Sequence, residues 1–283
     1  MVNSSHAGKS LEVERAVLVA VVLTLKPVER SYLPISHGTF AYAAALELFL
    51  RRNESLARRL HQSQLQKPLT VSPLMGVSER DGNTYVLCPD SVYSWRLTGL
   101  SEEVSQHLCQ FNTDMGGVRI GNAIFSITHV AKTLKEHPDA AQETYEALWE
   151  KWGKSNPPRT ITFHFLTPTT FRIGRFELPF PSPSLVFNSL LLTWDHFSPY
   201  PIGQIKDLTE SCIILTNWKG ETRRVEMGAH KTVGFIGKFT YRVVEDSQEF
   251  RRLIGLLAEF SFYAGVGWQT THGLGQVRCI GIS

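Results

Sequence analysis

Near the end of the chain stands Gly265-Val266-Gly267-Trp268-Gln269-Thr270-Thr271-His272-Gly273-Leu274-Gly275, two glycine pairs bracketing a polar turn. The residues on either side of it fix what it joins. Phe250, Leu253, Ile254, Leu257 and Phe260 follow i, i+3, i+4, i+7 spacing, and Asp246 and Glu249 have the offset of a capping box, so a helix is predicted there. Gly265 follows its last turn, where a left-handed residue ends a helix cheaply. Val277 and Cys279 then alternate with Gln276 and Arg278 as a half-buried strand does. The glycine stretch is therefore a helix-to-strand connection.

Four glycines this close strip side chains from the backbone, so Gly265, Gly267, Gly273 and Gly275 can turn successive amides toward an anion, most simply a phosphate. The helix before the loop ends there, and its C-terminal dipole is negative, so the loop amides with Gln269, Thr270, Thr271 and His272 would have to do the binding. The spacing is not G-x-G-x-x-G, because Thr270 stands at the third glycine position, and no G-K-[ST] follows. A turn whose glycines serve close packing alone is the competing reading.

At 283 residues the chain can hold two domains of ordinary size, and 42% apolar with 19% charged residues is the balance of a globular protein with a sizeable core. A formal net charge of +3 permits an acidic partner without demanding one. Cys88, Cys109, Cys212 and Cys279 form no C-x-x-C and no zinc spacing, which fits a reducing cytoplasm. The apolar run Ala16 to Leu25 is far shorter than the roughly 20 residues of a membrane span. It reads as a central strand covered on both faces, and no membrane association is expected.

Residues 1 to 12 read as a loose polar tail. Ser36 is a plausible N-cap for a helix from Gly38 to Leu50, and Asn53 caps a second, in which Leu56 and Leu60 share a face and His61 lies at its edge. Leu69 to Val77 and Thr84 to Cys88 are predicted to pair as a hairpin, followed by strand Val92 to Leu100, helix Ser101 to Phe111 and strand Ala123 to Leu134. That order is ferredoxin-like, βαββαβ. Asp139 to Trp152 is predicted helical. Strand Thr160 to Leu166, a turn over 167–172, helix Ser184 to His196, strands near Ile213 to Trp218, Arg223 to Glu226 and Thr232 to Val244, and the last helix and strand repeat the logic. The expected α+β fold is two tandem ferredoxin-like (RRM-like) domains, 13–134 and 158–283, joined by a helical linker 135–157, with a central cleft and a C-terminal glycine-rich loop.

Val233-Gly234-Phe235-Ile236-Gly237-Lys238-Phe239-Thr240-Tyr241, the helix, Phe262 to Gly267 and Thr270 to Gly275 together resemble the closing region of the CRISPR-associated endoribonucleases that process precursor repeat RNA, the sixth-numbered Cas family of the RAMP superfamily. The resemblance is strongest over about the last fifty residues. It implies the same two-domain arrangement, and a catalytic histidine after the paired helices with a lysine a few residues on; in Leu60-His61-Gln62-Ser63-Gln64-Leu65-Gln66-Lys67 these are His61 and Lys67. A helix tyrosine found in some members is replaced by Leu46, with Tyr42 one turn away. His37, beside the first helix cap, is the rival histidine. Among the basic residues Arg172 and Arg175 flank a turn that the family uses near RNA, and Arg51 and Arg58 are further candidates for phosphate contact. Trp268 could stack on a base, whereas Phe171 is expected in the core.

The activity so implied is metal-independent cleavage of CRISPR repeat RNA in precursor transcripts (precursor crRNA), leaving 2′,3′-cyclic phosphate and 5′-hydroxyl ends, with no cofactor. RNA carries its own nucleophile, so histidine need only move protons while lysine meets the extra charge. A non-catalytic RNA-binding subunit of a CRISPR effector complex is the alternative, and a nucleotide- or cofactor-dependent enzyme the third reading. Other effector subunits and a second copy of the chain stay open as partners.

Overall fold

The computed structural model describes residues 17–63, 66–228 and 230–283. The tail expected at 1–12, the domain start at 13 and the strand start at Ala16 lie outside them. In chain order the elements are β1 (Val17–Pro27), β2 (Ser31–Pro34), α1 (Gly38–Leu50), α2 (Glu54–Gln62), β3 (Leu69–Val71), β4 (Arg80–Asp81), β5 (Thr84–Leu87) and β6 (Tyr93–Gly99). Next come α3 (Glu102–Cys109), β7 (Gly117–Ile120), β8 (Ala123–Ala131), β9 (Ala141–Thr144) and α4 (Tyr145–Lys154). The second half holds β10 (Thr160–Thr169), β11 (Phe171–Ile173), β12 (Phe176–Leu178), α5 (Pro183–Phe197) and α6 (Leu208–Ser211). It closes with β13 (Ile213–Met227), β14 (His230–Val243), α7 (Gln248–Ala264) and β15 (Val277–Ile282).

The two main sheets run β3-β6-β1-β8-β7, with β9 also on β1, and β13-β14-β10-β15. Taking only the strands of each βαββαβ unit, both have the order second, third, first, fourth, which is the ferredoxin-like arrangement. β8 pairs with Val22 to Pro27 and β9 with Val17 to Ala20, so two strands share one edge of β1. Alternation along β1 explains its unbroken apolar run. Val19, Val21, Leu23 and Leu25 enter the core under α1, α2 and α3, while Leu18 and Ala20 face the core of α4, α5, α7 and the second sheet. Between the lobes, Arg96 on β6 is 2% exposed and donates to the carbonyls of Asp139 and Phe262 and to Gln276 Oε1. No helix among the described residues is long and apolar enough to cross a membrane.

Several sequence expectations are corrected. Leu69–Val71 does not form a hairpin with β5; it pairs with β6, while β5 pairs with β4 across Gly82-Asn83 and with β2. Ser36 does not cap α1, whose N-cap is His37 without a side-chain bond; the Ser36 hydroxyl instead accepts from the Glu226 amide at 3.0 Å. The capping residue of α7 is Ser247 rather than Asp246, whose carboxylate pairs with Arg159 at 2.7 Å. The predicted helix from Asp139 begins only at Tyr145, because Ala141–Thr144 extends as β9. The turn over 167–172 leads into the β11–β12 hairpin, and the two strands read between 213 and 226 are one, β13.

Candidate active site

α2 places His61 in its last turn. Asn53 starts the helix by accepting from the Leu56 amide at 3.0 Å, and burial of Leu56 and Leu60 turns the opposite face, with His61, to solvent. The chain then doubles back, and Lys67 returns beside the same helix end. Its amine donates to the Tyr42 hydroxyl at 2.7 Å and lies 3.5 Å from the His61 carbonyl. Tyr42 in turn donates to the Leu60 carbonyl at 2.9 Å. Burial lowers the Lys67 amine and pushes the Tyr42 phenol up to about 12, so Tyr42 stays a neutral phenol beside the cation.

From the second lobe comes the glycine loop. Gly265 ends α7 with φ 65°, as its sequence suggests, and Thr270–His272 forms a single 3-10 turn. The expectation of bare amides is corrected for most of it. The amides of Gly265, Val266, Trp268, His272, Leu274 and Gly275 donate to backbone carbonyls, and that of Gly267 to the Ser189 hydroxyl at 2.8 Å. Among the described residues, the amides of Gln269, Thr270 and Thr271 donate to no protein group. The glycines thus serve first to let chains approach. At Gly275, φ is 69° and a Cβ would stand 2.1 Å from the Val266 carbonyl oxygen. We expect Gly275→Ala to cost roughly 1–3 kcal/mol, read as a lower urea midpoint at unchanged slope.

The two halves meet at a cavity of about 750 Å³ lined by His61, Gln66, Lys67, Arg172, the polar residues Asn188, Ser189 and Thr193 of α5, and the loop from Gly265 to His272. Gln66 reaches across it to donate to the Thr193 hydroxyl. At the rim the Arg172 guanidinium lies 5.1 Å over the Trp268 ring, while His230 meets that ring edge-on and contacts Glu177 at 2.7 Å. One face of Trp268 is therefore taken by arginine. The α5 residues were missed by sequence reasoning, although polar side chains within so apolar a helix are a signal for a lined cavity.

Other expected residues lie apart from this cavity. Arg175 packs over Phe176 outside the lining, whereas Phe171, buried as expected, does line the cavity beside Arg172. Arg51 ties α1 to β7 by donating to the Gly117 carbonyl at 2.7 Å and pairs with Glu47, while Arg58 pairs with Glu54. His37 is corrected as a rival catalyst. It is 1% exposed, its Nε2 accepts from the Leu74 amide at 2.7 Å, and its Nδ1 faces the Pro34 carbonyl at 2.9 Å. Both nitrogens are occupied, the proton sits on Nδ1, and burial lowers the pKa, so the ring is a neutral tie. It faces a second cavity of about 550 Å³ on the other side of the glycine loop, also lined by Arg80, Arg223, Arg224 and His272.

Residues 163–277 match the family model described as CRISPR-associated endoribonuclease Cas6. Curated Cas6 proteins of Streptococcus thermophilus and Mycobacterium tuberculosis are 26% and 25% identical, over 54% and 65% of this chain. The chain spans 64% and 58% of the lengths of those relatives. Among solved structures, a Cas6 product complex is 27% identical with a TM-score of 0.75, covering 93% of this chain and 99% of its own. Thermus thermophilus Cas6 is likewise 27% identical with a TM-score of 0.73, covering 94% and 99%. An RAMP protein binding different RNA substrates, 17% identical with a TM-score of 0.62, shares the fold. Over residues 163–277 the chain is thus similar to the CRISPR-associated endoribonuclease Cas6 family, and over nine tenths of its length it shares the fold of a solved Cas6 structure.

Proposed function

We propose that the chain is an endoribonuclease that cleaves CRISPR repeat RNA in precursor transcripts, without a metal ion, by attack of a 2′-hydroxyl on its neighbouring phosphate. The observation that carries this reading is the convergence on one cavity of a histidine and a lysine from the first lobe with the glycine loop and Arg172 from the second. In the reaction the 2′-oxygen loses its proton and bonds to phosphorus, the P–O5′ bond breaks, and the 5′-oxygen takes a proton. The products are a 2′,3′-cyclic phosphate and a 5′-hydroxyl. His61 moves one of the two protons, Lys67 meets the charge that develops on the phosphoryl oxygens, and the uncommitted amides of Gln269, Thr270 and Thr271 with Arg172 hold the phosphate in line. The curated relatives are named CRISPR-associated endoribonucleases, which supports internal cleavage of RNA as the reaction class.

The test is incubation with repeat RNA in excess chelator, followed by mapping of both new ends. The expected result is a single cut with cyclic phosphate and 5′-hydroxyl termini. RNA that stays whole while bound tightly and with steep salt dependence would instead mark an RNA-binding subunit. A 3′-hydroxyl with a 5′-phosphate would rule out attack by the 2′-oxygen.

A further inference from the structure

One residue of the glycine loop lines both cavities. His272 forms part of the wall between them, so it touches the proposed reaction site on one side and the arginine-lined cavity on the other. Its main chain is seated hard against the first lobe: a Cβ on Gly38, the first residue of α1, would fall 1.8 Å from the His272 carbonyl oxygen. One turn along α1, the Tyr42 ring lies 4.6 Å from the imidazole, centroid to centroid, at 46°. The other ring contact is to its own loop, where Nδ1 and the Thr271 hydroxyl are 2.9 Å apart.

Tyr42 is the one aromatic hydroxyl that joins the two groups of the proposed reaction. It accepts from the Lys67 amine and donates to the carbonyl of Leu60, the residue before His61. A ring pressed against Tyr42 therefore limits where both Lys67 and the end of α2 can sit. We infer that His272 is a positioning residue, its ring bracing Tyr42 so that Tyr42 fixes the Lys67 amine and the turn of α2 bearing His61. This deepens the proposed function and rests on it.

The electrostatics agree with a brace and disagree with a phosphate ligand. Burial first, and the charge of Lys67 second, push the His272 imidazole down to about 4, so at neutral pH it brings no positive charge to an RNA phosphate. Tyr42 and Lys67 face it directly, His61 shares the first cavity with it, and His37, Tyr85, Arg80, Arg223 and Arg224 share the second; none of them supplies the negative charge that would make it a cation. An uncharged ring against an aromatic face acts through shape and dispersion. The alignment it protects is worth much, since a shift of about 1 Å in a reacting group costs on the order of 10²-fold in rate.

The experiment compares His272→Ala, His272→Phe and Tyr42→Phe with the parent protein, using repeat RNA under single-turnover conditions. His272→Ala is expected to slow the chemical step by about tenfold or more while the RNA Kd moves less than about twofold. His272→Phe, which keeps a ring against Tyr42, is expected within about threefold of the parent rate, and Tyr42→Phe to be as slow as His272→Ala. A weakened Kd with an unchanged rate would overturn the assignment in favour of phosphate binding, and so would a phenylalanine variant as slow as the alanine one. A second readout needs no cleavage: NMR titration of the Lys67 ε-carbon in the RNA-free protein. The Lys67 pKa is expected to rise toward the ordinary lysine value in His272→Ala, and an unmoved titration refutes the brace even if the parent protein does not cut RNA. If His272→Ala does not fold, the phenylalanine pair still decides between the outcomes.

Discussion

His61→Ala is expected to abolish most of the proposed cleavage, lowering the single-turnover rate by about 10²- to 10⁴-fold, the span a positioned proton-transfer group contributes. The same substitution is expected to leave the RNA Kd within about threefold and the urea midpoint nearly unchanged, because an exposed residue away from packing, caps and buried bonds falls within roughly ±0.5 kcal/mol. Both parts follow from where His61 stands. It is exposed on the solvent face of α2, lines the cavity, and its ring makes no hydrogen bond among the described residues. Removing it opens no hole and strands no partner. Lys67→Ala is a less clean experiment, since the amine also holds the Tyr42 hydroxyl and its loss disturbs α1 as well as the phosphate. Undiminished cleavage by His61→Ala would remove the proposed proton donor or acceptor, and a collapse in stability would show that the ring is structural.

What could be read from sequence was whatever is encoded locally. α1 runs from Gly38 to Leu50 as expected although Ser36 does not cap it, and Asn53 and Ser101 mark the starts of α2 and α3 because each side chain accepts from an amide three residues on. Pairing is not local. Leu69–Val71 is as apolar as a hairpin strand should be, yet its partner Leu97 to Gly99 lies beyond another strand pair, and no feature of residues 69–77 specifies that. The short strands β2, β4, β7, β9, β11 and β12, each of two to four residues, carry too few side chains for a period-two signal.

The site shows the same division. The residue types at 61 and 67 became candidates through a family resemblance, because nothing in the spacing of one histidine and one lysine selects them. The glycine loop was legible as a connection but not as a stitched one. The amides of Gly275, Trp268 and Gly267 are taken by the Pro168 and Thr170 carbonyls and the Ser189 hydroxyl, groups far earlier in the chain. His37 misled for a related reason: the groups that occupy its nitrogens are main-chain atoms of residues 34, 35 and 74, which look the same in every sequence.

Arg96→Ala is expected to be the most destabilising single change in the interlobe contact, by about 3–5 kcal/mol, from a large buried side chain removed and acceptors left unpaired. The guanidinium donates to the Asp139 carbonyl at 2.9 Å, to the Phe262 carbonyl at 2.5 Å and to Gln276 Oε1 at 3.3 Å, and lies 4.5 Å from the centre of the Phe262 ring. Arg278, paired with Asp139, sits 4.7 Å from the same ring. Burial and the nearby Arg278 push the Arg96 pKa down to about 9, opposed by Asp139 and Tyr263, so the charge is held at a cost that its acceptors offset. Arg96→Met separates the two contributions. It keeps an apolar stem against Phe262 but satisfies neither carbonyl, so a loss of roughly 1–3 kcal/mol is expected from the stranded acceptors alone. Urea unfolding followed at once by tryptophan fluorescence and circular dichroism measures both variants. If Arg96→Met is as stable as the parent, the polar contacts contribute nothing beyond packing, as can happen when a buried charge gives way to an apolar group. If the parent unfolds in one transition and a variant in two, Arg96 is what makes the lobes unfold together, and the cavity they share depends on it.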